Sequence, residues 1–144
     1  MIVLDTTVLV YALGSDHPLR EPCRDVLRHA ARLQATTTTE VVQEFAHVYA
    51  RRRSRAVAAA PARDYVRLLG PLLVSDDRAL LDGLDLFESL PALGAFDSVL
   101  AATARRAGAT AVVSADRGLA EVPGLVHVQP GSQEWATLRG PPDH

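Results

Sequence analysis

Four acidic residues could act together although they are widely separated in the sequence: Asp5, Glu44, Asp97 and Asp116. Asp5 and Asp116 each follow a short apolar run, as expected at the carboxyl end of a buried parallel strand, where open α/β sheets bind ligands. Unit charges about 4 Å apart repel by about 4 kcal/mol at an effective dielectric constant of 20, so clustered carboxylates must hold protons or cations. Oxygen ligands favour Mg²⁺ or Mn²⁺, which suit phosphodiester hydrolysis.

Three of these acids also have a simpler interpretation. Glu44 could lie in solvent at the flank of a helix, and Asp97 could favour a first helical turn through the helix dipole. Asp116 could form a turn or cap. Asp76 and Asp77 follow another apolar run, but they precede a helical segment, so capping is the favoured role for them.

A basic cluster consists of Arg51, Arg52, Arg53 and Arg55. Cations near a helix C-terminus are stabilised by about 0.3–1 kcal/mol each, which explains one or two of these arginines more easily than four. The sharper hypothesis is a site that binds RNA phosphates.

Apolar runs and helical spacings alternate along the chain and predict an α/β fold with a mostly parallel sheet of four to five strands and helices on both faces. The predicted strands are residues 2–4, 34–37, 72–74, 111–114 and 125–128. Thr37 and Glu40 predict a capping box, which starts a helix with Glu44 at the edge of its apolar stripe. Small residues after Asp97 allow the next helix to approach the sheet closely.

The 144 residues are enough for one domain, and 48% hydrophobic with 22% charged residues is typical of a globular protein. We expect a domain over residues 1–129 and a loose tail over 130–144, anchored by Trp135. One cysteine, Cys23, suits a reducing cytoplasm. Neither a signal peptide nor a membrane span is expected from the sequence. The net charge of −2 does not indicate a nucleic-acid partner.

With these motifs in this order, the chain resembles the PIN-domain family, and within it the VapC-type ribonuclease toxins. The matching segments are residues 4–9, 39–45, 96–104 and 113–116. The resemblance implies an endoribonuclease with one or two Mg²⁺ or Mn²⁺ ions, held by Asp5, Glu44, Asp97 and Asp116. It gives Thr7 and Ser114 supporting roles. It also implies a homodimer in the cytoplasm and inhibition by a VapB-like antitoxin.

One departure concerns the residues after Asp116. Many relatives have another acid and an aromatic residue there, whereas this chain has Arg117, Gly118 and Leu119. We therefore expect a second ion position to be weak, or to fill only when RNA supplies a phosphate. Thr7 occupies a position where serine or asparagine is common.

Other classes of protein fit less well. A phosphoacceptor receiver domain needs a lysine, and all 15 basic residues here are arginines. A haloacid-dehalogenase-type phosphatase needs an aspartate where Thr7 stands, and nucleotide-binding folds need a glycine-rich loop. The alternative that remains is a PIN-like module that binds RNA or protein without cleaving.

Overall fold

The computed structural model describes residues 1–141. In this range the chain forms four strands, seven α-helices and one 3-10 helix over Arg117–Glu121. The strands are β1 (Ile2–Leu4), β2 (Ala35–Thr36), β3 (Ala111–Val113) and β4 (His127–Val128). The helices are α1 (Thr6–Leu13), α2 (Arg20–Arg28), α3 (Thr39–Arg52), α4 (Arg55–Leu69), α5 (Asp77–Ser89), α6 (Ala95–Arg106) and α7 (Gln133–Arg139).

The four strands form one parallel sheet in the order β2-β1-β3-β4. The α/β prediction is therefore confirmed, with the lower of the predicted strand numbers. Leu4 pairs with Val113, and the Asp5 amide donates to the Val113 carbonyl at 3.0 Å. The carboxyl ends of β1 and β3 are thus adjacent, and the residues that follow them start at the same edge of the sheet.

The central strand β1 is buried on both faces, since Ile2, Val3 and Leu4 are at most 1% exposed. This is why its sequence is a continuous apolar run instead of an alternating one. Helix α6 packs through small side chains, and Ala101 and Ala102 are fully buried. The small residues let α6 lie close to its neighbours. This brings the start of the helix to the edge of the sheet where β1 and β3 end, which is called the functional edge below.

The predicted strand at residues 72–74 is wrong. Only an isolated bridge joins Thr38 to Leu73, and Val74 is 71% exposed. The Leu73 amide donates to the Thr37 carbonyl at 2.9 Å, and the Thr39 amide donates to the Leu73 carbonyl at 3.2 Å. An apolar run with a single residue paired to the chain lacks the ladder of hydrogen bonds that makes a strand.

The predicted capping box is also wrong, because Thr38 caps α3 by accepting from the Val41 amide at 3.2 Å. Thr37 is buried and donates to the Leu4 carbonyl at 2.7 Å, which joins the start of α3 to the end of β1. Glu40 accepts a hydrogen bond from Thr39.

The end of the described chain is more ordered than the loose tail expected from Pro130 onward. Residues 133–139 form α7, and Trp135 is 2% exposed with its indole N–H donating to Asp25 at 2.8 Å. Residues 142–144 of the predicted tail lie outside the described residues. The domain boundary at residue 129 stays a prediction.

Candidate active site

Asp5 is the most tightly held carboxylate at the functional edge. It is 3% exposed, and its Oδ2 atom accepts from the hydroxyls of Thr7 at 2.9 Å and Ser114 at 2.7 Å. Its hydrogen bonds within residues 1–141 all go to Oδ2, so Oδ1 keeps its capacity to bind a ligand. The residue also caps α1, because its side chain accepts from the Thr7 amide.

Thr7 and Ser114 are satisfied as donors and as acceptors. The Thr7 hydroxyl accepts from the Ala115 amide at 3.0 Å, and the Ser114 hydroxyl accepts from the Asp116 amide at 2.9 Å. The backbone after β3 therefore fixes both hydroxyls, and the hydroxyls fix Asp5. This network matches the supporting roles expected for Thr7 and Ser114, which stay a proposal.

Glu44 is positioned by α1. The Thr6 hydroxyl donates to Glu44 Oε2 at 2.8 Å, across 38 sequence positions. This contact favours the cleft over the solvent interpretation of Glu44, and it uses a residue that the sequence analysis did not single out.

A cleft of about 310 Å³ contains three of the four expected acids, Asp5, Glu44 and Asp97. One wall is apolar and includes Phe96, which is 72% exposed beside Asp97. The other lining residues are Thr38, Glu40, Val41, Ser75, Leu80, Ala95, Val99 and Leu100. The sequence assigns Glu40 only to a capping box at the start of α3. The structure places this residue in the lining of the cleft as well, which corrects that expectation.

The electrostatics of Asp97 show that the four acids share one environment. Burial, together with the negative charges of Asp5, Asp116 and Glu44, raises the pKa of the Asp97 carboxyl to about 7. Without a cation, the cluster therefore holds a proton on Asp97 near neutral pH. This is one of the two outcomes that crowded carboxylates allow.

Asp116 combines the two roles considered for it. Its Oδ1 atom accepts from the Gly118 amide at 2.9 Å and caps the 3-10 helix, while its side chain lies close enough to Asp97 to affect that pKa. Gly118 is required by close packing, since a Cβ atom there would lie 2.9 Å from the Ala92 carbonyl oxygen. The capping alternative and the site role are therefore compatible.

The donor chemistry of the cluster fits a hard divalent cation, because every candidate ligand is an oxygen atom. The raised pKa of Asp97 shows that the crowded carboxylates favour a compensating positive charge, which a proton or a cation can supply. In residues 1–141, no group of three or more His, Cys, Asp or Glu side chains is spaced to hold a metal ion. Three of the acids line one cleft, and Asp116 lies close to Asp97.

Several contributing residues could not be found from sequence patterns. Thr6 lies beside Asp5, but nothing local indicates a partner 38 positions away. Thr38 and Ser75 belong to the cleft through backbone placement rather than a motif. For Gly118 the sequence offers one signal, which is that this glycine follows the expected ligand Asp116 and the charged residue Arg117.

The arginines of the basic cluster lie outside the carboxylate cleft and all four are exposed. Arg51 and Arg55 line a groove between α3 and α4. Arg52 and Arg53 line a smaller depression beside Tyr49 and the end of α1. The structure thus divides the cluster into two pairs.

Within residues 1–141, no helix is both long and apolar enough to span a bilayer.

Comparison of the sequence with known proteins gives a family and a relative. A family model described as PIN domain matches residues 2–125. Ribonuclease VapC7 of Mycobacterium tuberculosis (strain ATCC 25618 / H37Rv) is 51% identical, over 97% of this chain and 99% of that protein.

Two solved structures of toxin–antitoxin proteins share the fold. VapBC2 from Rickettsia felis, bound to a DNA fragment from its promoter, has a TM-score of 0.69 at 17% identity and covers 90% of this chain and 98% of that one. Mycobacterium tuberculosis VapC20, described as a sarcin-ricin loop cleaving toxin, has a TM-score of 0.67 at 16% identity, with 87% and 98% covered.

Proposed function

This chain belongs to the PIN-domain family, and we propose that it is a metal-dependent endoribonuclease that acts as the toxin of a toxin–antitoxin pair. The observation that carries the proposal is that Asp5, Glu44 and Asp97 line one cleft, with Asp116 close enough to Asp97 to raise its pKa, where β1 and β3 end side by side. The likeness to Ribonuclease VapC7 over nearly the whole of both chains supports RNA as the substrate.

Asp5, Asp97 and Asp116 are the proposed ligands of the ion, and Glu44 is a further ligand or a group that orients the attacking water. A bound Mg²⁺ or Mn²⁺ would polarise a phosphoryl oxygen, lower the pKa of water and stabilise the leaving oxygen. Magnesium is the expected ion and manganese the alternative, since both prefer oxygen ligands.

The protein's own contribution is to hold these oxygens in place. Two hydroxyls orient Asp5, and the Thr6 hydroxyl orients Glu44 toward the same cleft. Glu44 can then accept a proton from water that attacks the phosphorus. A side-chain nucleophile is not required, because the oxygen of water forms the new P–O bond while the P–O bond to the leaving oxygen of the RNA breaks.

The proposed partners follow from the family and from the VapBC complex that shares the fold. They are an RNA substrate, a VapB-like antitoxin that inhibits the enzyme, and a second copy of the chain in a homodimer. The cytoplasm is the proposed location, as expected for an enzyme that acts on cellular RNA.

The first experiment is an RNA cleavage assay with Mg²⁺ or Mn²⁺ and with EDTA. We expect cleavage that EDTA stops and added metal restores. Cleavage that persists in EDTA would contradict metal dependence, and binding of RNA without any cleavage would favour the alternative of a non-cleaving PIN-like module.

The first prediction is that Asp5→Asn lowers cleavage by about 100-fold or more, because outer partners of metal ligands alone already account for about 10–100-fold. Asparagine keeps the shape of the side chain, so the circular dichroism spectrum should not change. Asp82→Asn is the matched control, since Asp82 lies on α5 and pairs with Arg106. Wild-type cleavage by Asp5→Asn would remove Asp5 from the proposed site.

A further inference from the structure

Positive charge is concentrated in one part of this otherwise slightly acidic chain. Residues 45–63 contain five arginines and no aspartate or glutamate, whereas the whole chain has a net charge of −2. This segment covers the second half of α3 and the first half of α4. Its local charge therefore attracts anions that the molecule as a whole does not.

The segment is aligned with the candidate active site. Arg51 follows Glu44 by seven residues on the same helix, which is about two turns and returns to the same face. At 1.5 Å per residue the two Cα atoms are about 10 Å apart along the axis. Arg51 therefore lies on the same face of α3 as Glu44, about two turns further along the helix.

Arg51 opens onto a formed groove instead of a flat surface. The groove has a volume of about 500 Å³, and its polar lining residues are His47, Arg51 and Arg55. The remaining lining is Ala46, Ala50, Ala58 and Ala59. Alanine methyl groups from both helices line the groove, and Arg51 on α3 and Arg55 at the start of α4 line it as well.

The two arginines lack the carboxylate partners that some other surface arginines have. Within residues 1–141, neither Arg51 nor Arg55 forms an ion pair. By contrast, Arg67 pairs with Asp64 at 2.8 Å. Their donors are thus available for an external anion, and the planar guanidinium matches the geometry of phosphate oxygens.

We propose that the groove of His47, Arg51 and Arg55 binds a backbone phosphate of the RNA strand whose scissile phosphate lies in the carboxylate cleft. This inference rests on the proposed ribonuclease function. The axial separation of about 10 Å is short enough for one RNA strand to span. Binding there is independent of the base, because the contacts are made to phosphate.

An RNA strand explains the arrangement better than an acidic protein does. The carboxylate cleft repels a phosphate until a cation is bound, so a substrate needs attraction from elsewhere on the same path. Arg51, about two turns from Glu44 on α3, and Arg55 at the start of α4 supply it, and neither forms an ion pair within residues 1–141. Each phosphate contact to a single strand changes the slope of log K against log salt by about 0.7.

The test measures the binding of a fluorescein-labelled single-stranded oligouridylate by anisotropy at several salt concentrations. The protein carries Asp5→Asn, and a denaturing gel checks that the RNA remains intact. In this background we expect Arg51→Gln with Arg55→Gln to flatten the salt slope by about 0.7, the value for the one phosphate contact that the groove makes.

The matched control is Arg63→Gln with Arg67→Gln, which removes the same charge from exposed positions further along α4. We expect its slope to equal that of the parent protein, because the Debye length at physiological salt is about 8 Å. Equal flattening in both double variants would overturn the groove in favour of general charge. An unchanged slope in Arg51→Gln with Arg55→Gln would also overturn it and favour a role toward a protein partner.

This result is separable from that of the proposed function. Wild-type protein that cleaves RNA, together with an unchanged slope, rejects the groove alone. A flattened slope with a wild type that never cleaves keeps the RNA-binding groove and rejects the nuclease. Circular dichroism of both double variants confirms that the helices are intact.

Discussion

At the level of single residues, the four acids differ in how firmly they are held. Asp5 is bound by two hydroxyl groups, which are themselves fixed by backbone amides after β3. Glu44 has one such contact, from Thr6. We infer that Asp5 provides the fixed reference for the ion and that the other acids adjust around it.

The second prediction concerns Ser114 as a positioning residue. Ser114→Ala removes the 2.7 Å hydrogen bond to Asp5 and the acceptor for the Asp116 amide, so two acids lose orientation together. We expect Mn²⁺ affinity and cleavage to fall by about 10–100-fold, as for other outer partners of metal ligands. Calorimetric titration with Mn²⁺ separates this effect from an effect on RNA binding. Ser89→Ala on the exposed face of α5 is the control, and equal behaviour of the two variants would contradict the role.

The third prediction concerns Thr6, whose hydroxyl orients Glu44. Thr6→Val keeps the volume of this buried side chain but removes the donor, and we expect about a tenfold lower kcat. KM should change little, because the groove proposed for RNA binding lies elsewhere. Thr6→Ser should restore cleavage, as it keeps the hydroxyl. If Ser and Val behave alike, packing rather than the hydrogen bond is responsible.

At the level of elements, the position of Asp97 depends on how closely α5 and α6 approach. Gly83 on α5 faces Val99 on α6, and a Cβ atom at Gly83 would lie 2.7 Å from the Val99 Cα atom. Contact with backbone cannot be relieved by a rotamer change. The two helices therefore come together only because this position has no side chain, and Asp97 lies two residues before Val99.

The fourth prediction is that Gly83→Ala destabilises the protein. In an uncrowded helix interior, a change from glycine to alanine would stabilise the folded protein by about 1 kcal/mol. Overpacking typically costs about 1–3 kcal/mol, and here the added methyl group would clash with the backbone of Val99. We expect a net loss in the free energy of unfolding, with Tm lower by about 2–4 °C for each kcal/mol. Gly94→Ala is the control, because a Cβ atom there meets nothing within 4 Å. A higher Tm for Gly83→Ala would show that the helices separate at little cost.

How much the sequence predicts also depends on the element. Strands β1 and β3 and the start of α6 are predicted because their signals are local: buried apolar runs, then an acid. Residues 72–74 have the same kind of run but pair through Leu73 alone, which depends on the distant chain at Thr38. The grouping of the acids follows from strand order, whereas the contact of Thr6 with Glu44 depends on how α1 packs on α3. Side-chain contacts between distant helices leave no periodic signal in either helix.

At the level of the whole molecule, the acid cluster links stability to pH. The pKa of Asp97 is raised from 3.8 to about 7 by burial and by the neighbouring acids. Between these values the folded state binds more protons than the unfolded state, so the free energy of unfolding falls as pH rises. The stabilising contribution is complete below about pH 4 and is lost as pH passes through about 7.

The fifth prediction combines this linkage with metal binding. In EDTA, wild-type Tm should fall between pH 5 and pH 8 relative to that of Asp97→Asn, whose side chain does not titrate. A divalent cation binds the deprotonated carboxylate of the folded protein, so it stabilises by mass action and must displace the proton at low pH. Added Mn²⁺ should therefore raise the wild-type Tm more at pH 8 than at pH 6, and raise that of Asp97→Asn less at both. Scanning fluorimetry measures all of these values.

Parallel pH profiles for the two proteins in EDTA would show that the acids do not interact. A Mn²⁺ effect on Tm that is independent of pH would place the ion away from Asp97.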